Sequence, residues 1–390
     1  MRSRFAATTA ATLLTAMACG DAPTSTALLR STSAAVHSAA EAPGVPRAQS
    51  TVQWNKKVVA LFRARAGDVA RATTYMSIAQ YRAARAADDD RHGKTRPSIA
   101  GAVAGASVVV LKQFYPLDAA AMEAELDAQR AAPPVADERN KDFAAGEAIG
   151  RQIGAAVLAW AATDNAGLTS PGTPPIGPGY WTSSGAATVR GGFGARPFFL
   201  TSGSELRLQI PAPPAFGSQA FLDGLAEVRA IALTRTPEQT AITLKWVPFS
   251  GPLFNAIATD LIEKYHRSEL EASRILAYAN AAAIDAIIAC FDVKFTYWFI
   301  RPTQADPTIT LATPLPNHPS YPSAHSCQTG ALETVLEDAF PSERAMLDAT
   351  AQEASISRVY GGLHYRFDGV AGLALGRLAG RLALSRGGLE

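Results

Sequence analysis

Lys294-Phe295-Thr296-Tyr297-Trp298-Phe299-Ile300-Arg301-Pro302 closes a long helix-period run that begins at Glu269, and the rest of the chain is placed by how these nine residues are read. Lys294 is the last lysine in the sequence and is followed at once by aromatic and apolar residues, a setting unlike that of a solvated lysine on an exposed helix face. At a rise of ~1.5 Å per residue, Lys294 and Arg301 are expected about two turns apart on one face of this helix, where two cations can converge on one anion.

Two further blocks supply complementary groups. Pro322-Ser323-Ala324-His325 precedes an apolar, helix-favouring run from Thr329 to Phe340, so it sits where a helix starts, with backbone N–H groups and the helix dipole favouring negative charge. Ser323 adds a hydroxyl, and His325 adds a group able to give or take a proton near neutral pH. In Ser357-Arg358 through His364 to Asp368, Arg358 is a planar, permanently charged fork suited to tetrahedral oxyanions. The four-residue spacing lets Asp368 hold one N–H of His364 and leave the other nitrogen as a nucleophile or metal ligand. Gly361-Gly362 breaks the helix before His364 and lets it point inward from a turn.

The pattern K-x6-RP, P-S-A-H, S-R-x5-H-x3-D resembles the three-part signature shared by type-2 phosphatidic acid phosphatases, bacterial non-specific acid phosphatases and vanadium-dependent haloperoxidases. One position departs: the family usually has Gly where Ala324 stands, which keeps the N–H donor but adds a methyl and disfavours positive φ. Weaker similarity to soluble bacterial haloperoxidase-like proteins extends over roughly residues 51–386, through Trp54-Asn55, Ala79-Gln80-Tyr81, 197–230, Arg235 to Thr240 and 283–302.

The resemblance implies a vanadate cofactor, with His364 its one covalent ligand and Lys294, Arg301, Ser323, the Ala324 N–H and Arg358 holding the oxyanion. It implies Lys294, His325, His364 and Asp368 as the catalytic set, and hydrogen peroxide, halide and a small organic acceptor as partners. His318 and Phe291 fall where related haloperoxidases line the halide path. Histidine at the first position, and the absence of the common Trp at the second, imply bromide and iodide rather than chloride; the competing reading of His318 is an exposed loop histidine among Pro314, Pro316, Asn317 and Pro319. Two alternatives use the same residues: a soluble acid phosphatase working through a phosphohistidine at His364, and an exported oxyanion-binding protein without activity.

Outside the blocks, helical periodicity is expected over 52–87, 98–131 with a break at Pro116, 139–163, 218–233, 238–246, 252–268, 269–300, 323–339, 342–360 and 368–386. Strand-period alternation is rare, so the fold is expected to be all-α: helical bundles of the haloperoxidase and acid phosphatase type in one domain over 51–390. A front bundle at about 51–163 and a site-bearing bundle at about 218–386 are expected as pseudo-equivalent lobes, joined by a long irregular Pro-rich stretch. Residues 1–18 read as a signal peptide and 19–50 as a disordered tether, giving an exported protein that is periplasmic, secreted or lipid-anchored. Cys19 resembles a lipidation site, the one expected link to a membrane. A net charge of +2 without a basic run excludes nucleic acid as a partner, and the oligomeric state is not legible. Cys290 and Cys327 flank the blocks, either as buried thiols or as a bridge.

Overall fold

The computed structural model describes residues 49–389, apart from 66–67, 91–94, 136–137, 167–170, 186, 189–192 and 249. The signal peptide, Cys19 and nearly all of the tether lie outside the described residues. Among the described residues the secondary structure is helical, with two isolated bridges, Pro97 to Asp142 and Tyr180 to Phe299.

The front half holds α1 (Gln49–Ala64), α2 (Val69–Asp89), α3 (Ile99–Phe114), α4 (Ala119–Ala131) and α5 (Phe143–Ala161). The run expected as continuous over 52–87 is two helices, with Asp68 capping α2 by accepting from Arg71 N. The rear half holds α6 (Gln219–Thr234), α7 (Pro237–Lys245), α8 (Ser250–Lys264), α9 (Glu269–Tyr297), the short α10 (Pro302–Ala305), α11 (Ala324–Ala339), α12 (Arg344–Tyr360) and α13 (Arg366–Arg386).

The two halves repeat one plan. Asn55 in α1 donates to the Thr51 carbonyl and to Gln80; Asn255 in α8 donates to the Gly251 carbonyl and to Asn280, the same four and twenty-five residues away. Asp142, Gly146, Gly150 and Gly154 on α5 share their spacing with Asp368, Gly372, Gly376 and Gly380 on α13. The glycines let paired backbones touch: a Cβ on Gly150 would lie 2.0 Å from the Ala102 carbonyl of α3, and one on Gly376 2.1 Å from the Cys327 carbonyl of α11. At the head of each pair a serine cap donates its N–H to an aspartate carbonyl, Ser98 to Asp142 and Ser323 to Asp368, both at 2.9 Å.

Helix α9 runs through the core. It opens with a capping box between Ser268 and Glu271 and is long and apolar enough to cross a membrane, but 94% of its most apolar window is buried within the protein. The expectation that this helix continues through Ile300 fails at Trp298, which caps α9 in the left-handed region at φ 49°. Its carbonyl accepts from Trp181 N at 2.6 Å, and the two indoles stack at 6.1 Å between ring centres. The Pro-rich stretch thus pins the chain reversal that returns Arg301 toward the site.

Candidate active site

Lys294 and Arg301 do not share a helix face. Lys294 lies in the last turn of α9, whereas Arg301 lies beyond the Trp298 turn at the cap of α10. They meet through tertiary packing around 318–320, and both are fully buried. Lys294 Nζ donates to the Pro319 carbonyl (2.7 Å) and the Ser320 carbonyl (2.8 Å). Arg301 donates from Nε to the His318 carbonyl (3.0 Å) and from Nη1 to the Leu363 carbonyl (2.8 Å). The same Nη1 stands 2.9 Å from His364 Nε2, and Nη2 stands 3.0 Å from His318 Nδ1.

A guanidinium only donates, so the His364 nitrogen facing it is an acceptor. His364 therefore carries its proton on Nδ1, 2.9 Å from Asp368 Oδ2, and presents Nε2 as a lone pair. His318 Nδ1 lies between Arg301 Nη2, a donor, and the Pro319 carbonyl, an acceptor, at 3.2 Å. The residue is buried, with its ring 5.2 Å from that of Phe291, so the exposed-loop reading does not hold.

Ser323 caps α11 and accepts from Ser326 N at 3.4 Å, which leaves its own hydroxyl proton available to an anion. Ala324 opens the helix and is absent from the positive-φ positions, so the chain at this point has no conformational need for glycine. Arg358, in the last turn of α12, is held from Nε by Ser357 Oγ and from Nη2 by the Thr243 carbonyl, each at 2.9 Å. His325 is half-buried and its Nε2 lies 2.9 Å from the Trp246 carbonyl. His364 sits in the turn after Gly361-Gly362, with Gly362 at φ 76°. Cys290 and Cys327 are both free, buried thiols.

Lys294, Arg301 and Arg358 make no ion pair among the described residues. Asp368 is the carboxylate whose charge is felt at both Lys294 and Arg301. Burial pushes both guanidinium groups down to about 10, which leaves them charged at neutral pH. Burial, and after it the charge of Arg301, pushes Lys294 down to about 8. Burial drives His364 well below its usual range, reinforced by Arg301, Lys294, His318 and His325; His325 falls likewise through burial and Arg358. Both imidazoles are thus neutral at pH 7, while burial raises Asp368 to about 6 against the hydrogen bond from Ser320.

Lys294 and Arg301 act on the neutral His364 imidazole, with Asp368 behind it, and Arg358 acts on His325; buried cations so placed could hold a tetrahedral oxyanion. Among the described residues no group of three or more His, Cys, Asp or Glu side chains could hold a simple cation. Lys294 supplies its charge below about pH 8 and loses it above, so anion affinity should fall as pH rises through 8. The expected slope is up to about tenfold per pH unit. Titrating the protein with tungstate, whose charge is constant there, at pH 7.5 and 9.5 checks this; the dependence should flatten in Lys294→Met.

Residues 274–386 match the family model described as the PAP2 superfamily. No curated protein matches the chain. Among solved structures, the first bacterial vanadium-dependent iodoperoxidase aligns with a TM-score of 0.71 at 22% identity, over 89% of this chain and 98% of that one. A bacterial vanadium-dependent chloroperoxidase in its holo form aligns with a TM-score of 0.62 at 13% identity, covering 88% and 94%. Its apo form aligns with the same score at 12% identity, covering 88% and 96%. The chain therefore has the all-α vanadium haloperoxidase fold, with the PAP2 segment carrying every candidate site residue. Ser320, Thr243 and the Pro319, Leu363 and Trp246 carbonyls were missed by the sequence reading, and carbonyl contacts of this kind leave no residue-type signal.

Proposed function

We propose that this protein is an exported vanadate-dependent haloperoxidase that oxidises halide with hydrogen peroxide, favouring bromide and iodide. The observation that carries the reading is a pair of buried cations, Lys294 and Arg301, without an ion-pair partner among the described residues, acting on a histidine whose Nε2 is a lone pair, with a third such cation, Arg358, acting on His325. Lys294, Arg301, Arg358, the Ser323 hydroxyl and the N–H groups opening α11 would hold the oxyanion, and His364 Nε2 would bond the metal. When bound, vanadate supplies Lewis-acid activation of hydrogen peroxide at constant oxidation state. Asp368 fixes the His364 ring, Lys294 and the arginines stabilise negative charge on oxygen, and neutral His325 moves the proton. Export rests on the first eighteen residues, and a small organic acceptor would take the product.

The halide preference rests on His318 and Phe291, which pack ring to ring beside Arg301. A buried imidazole at this position brings a polar ring beside Arg301 where an aromatic hydrocarbon would form an apolar wall. The decisive experiment assays the purified protein with peroxide and each halide, before and after orthovanadate. Bromide and iodide oxidation should appear on loading, with little or no chloride oxidation, and His318→Ala should change the pH profile for bromide. Equal oxidation of chloride and bromide, or a superimposable mutant profile, would contradict the role of His318.

The His364–Asp368 pair also suits a phosphatase, in which His364 attacks phosphorus and His325 protonates the leaving alcohol. A phosphatase assay without vanadate belongs beside the halide assays. Turnover of phosphate esters with no peroxidase activity after loading would favour that reading.

A further inference from the structure

Ser320 lies outside the three sequence blocks, yet it touches two of them. Its N–H donates to the Phe299 carbonyl (2.9 Å), its carbonyl accepts from Lys294 Nζ (2.8 Å), and its hydroxyl donates to Asp368 Oδ2 (2.5 Å). It is fully buried, and its backbone is held at both ends before the side chain is considered.

Asp368 is held unevenly. Oδ2 accepts from Ser320 Oγ, His364 Nδ1 (2.9 Å) and Tyr365 N (3.2 Å), whereas buried Oδ1 has no hydrogen-bond partner among the described residues. A carboxylate free to rotate about its terminal torsion could exchange these oxygens. Three donors converging on Oδ2 leave one orientation, and the hydroxyl is the shortest and most directional of them.

We infer that Ser320 is a positioning residue of this site: its hydroxyl locks the Asp368 carboxylate, which fixes the ring orientation of His364, while its carbonyl ties the Lys294 ammonium to the same point. Lys294 and His364 are thereby set at one mutual distance by a single residue. The inference rests on the proposed oxyanion chemistry for its consequence in turnover, but not for its consequence in the ring.

The test uses the full chain in three variants beside the parent: Ser320→Ala, Ser320→Thr, which keeps the hydroxyl, and Ser320→Cys, which keeps the volume with a weak donor. NMR of the ring without added anion reports the His364 tautomer and its Nδ1–H hydrogen bond. Arg301 at Nε2 keeps the proton on Nδ1 in every variant; the parent and Ser320→Thr should show one sharp, strongly downfield Nδ1–H signal, and Ser320→Ala and Ser320→Cys a signal shifted and broadened as the Asp368 carboxylate turns. With orthovanadate, affinity in Ser320→Ala should fall about 10- to 100-fold, the usual effect of removing such an outer hydrogen bond, with restoration in Ser320→Thr. If Ser320→Ala does not fold, Ser320→Cys carries the same expectation. An Nδ1–H signal unchanged from the parent in the folded Ala or Cys variant overturns the inference. Because that signal is read without vanadate, a parent that binds no vanadate overturns the haloperoxidase reading and leaves the role of Ser320 to be decided by NMR.

Discussion

His364→Ala is expected to remove peroxidase turnover by on the order of 10³-fold or more, the largest effect of any single substitution in this chain. The reason is specific to the geometry. His364 Nε2 is a neutral nitrogen kept as a lone pair by Asp368 on one side and already approached by Arg301 on the other. Alanine leaves Lys294, Arg301 and Arg358 in place, so capture of an anion should weaken while the covalent anchor disappears. Two readings separate these effects. Parent protein at one hundred times its dissociation constant of orthovanadate should gain about 2.7 kcal/mol of stability, visible as a rise in Tm. In His364→Ala, orthovanadate should raise Tm no more than tungstate does. Unchanged activities and unchanged vanadate affinity in this variant would point instead to an oxyanion-binding protein without chemistry.

His325→Ala should behave differently. Vanadate affinity is expected to stay within about tenfold, while turnover at saturation falls roughly 10²- to 10⁴-fold, the range for a lost acid–base group. His325 sits on the first turn of α11 with Nε2 against the Trp246 carbonyl, so it makes no direct contribution of charge to anion binding at neutral pH. Steady-state kinetics on loaded enzyme and equilibrium binding of vanadate are both needed. Loss of binding with normal turnover at saturation would reverse the assignment and make His325 an anchoring group.

The site was legible in the sequence to the extent that residue type carries charge or donor chemistry. Lys294, Arg301, Ser323, Arg358, His364 and Asp368 announce themselves; direct contacts or shared partners link all of them but Arg358, which Thr243 and Ser357 hold. Their arrangement was less legible. The apolar run through Ile300 satisfies helix periodicity, but nothing local reveals that Trp298 turns left-handed, because the turn is held by Trp181 more than a hundred residues away. His318 looked equally suited to an exposed loop, since the surrounding prolines describe backbone shape and not burial. Ser320 gave no signal, as a serine three residues before the capping serine is indistinguishable from any loop serine. Most of the longer helices and their boundaries followed from periodicity and caps, except where Asp68 starts a new helix inside a continuous apolar pattern and where the short α10 follows Arg301 in a stretch that reads as loop. The doubled plan was suspected from composition, but its register emerged only from paired contacts such as Asn55 with Gln80 and Asn255 with Asn280.

The contact between Arg301 and His364 has a kinetic consequence. Arg301 Nη1 occupies the lone pair of His364 Nε2, the nitrogen that the proposed vanadate chemistry would use. Electrostatic attraction could bring an oxyanion close at a rate that depends on its concentration, but the nitrogen becomes available only when the arginine lets go. On that proposal, loading would need two events, encounter and then release of the ring nitrogen by Arg301. The second would be unimolecular and would set a ceiling on the loading rate at high vanadate. The arginine is in this sense a latch, which holds the histidine ring in one orientation until it opens.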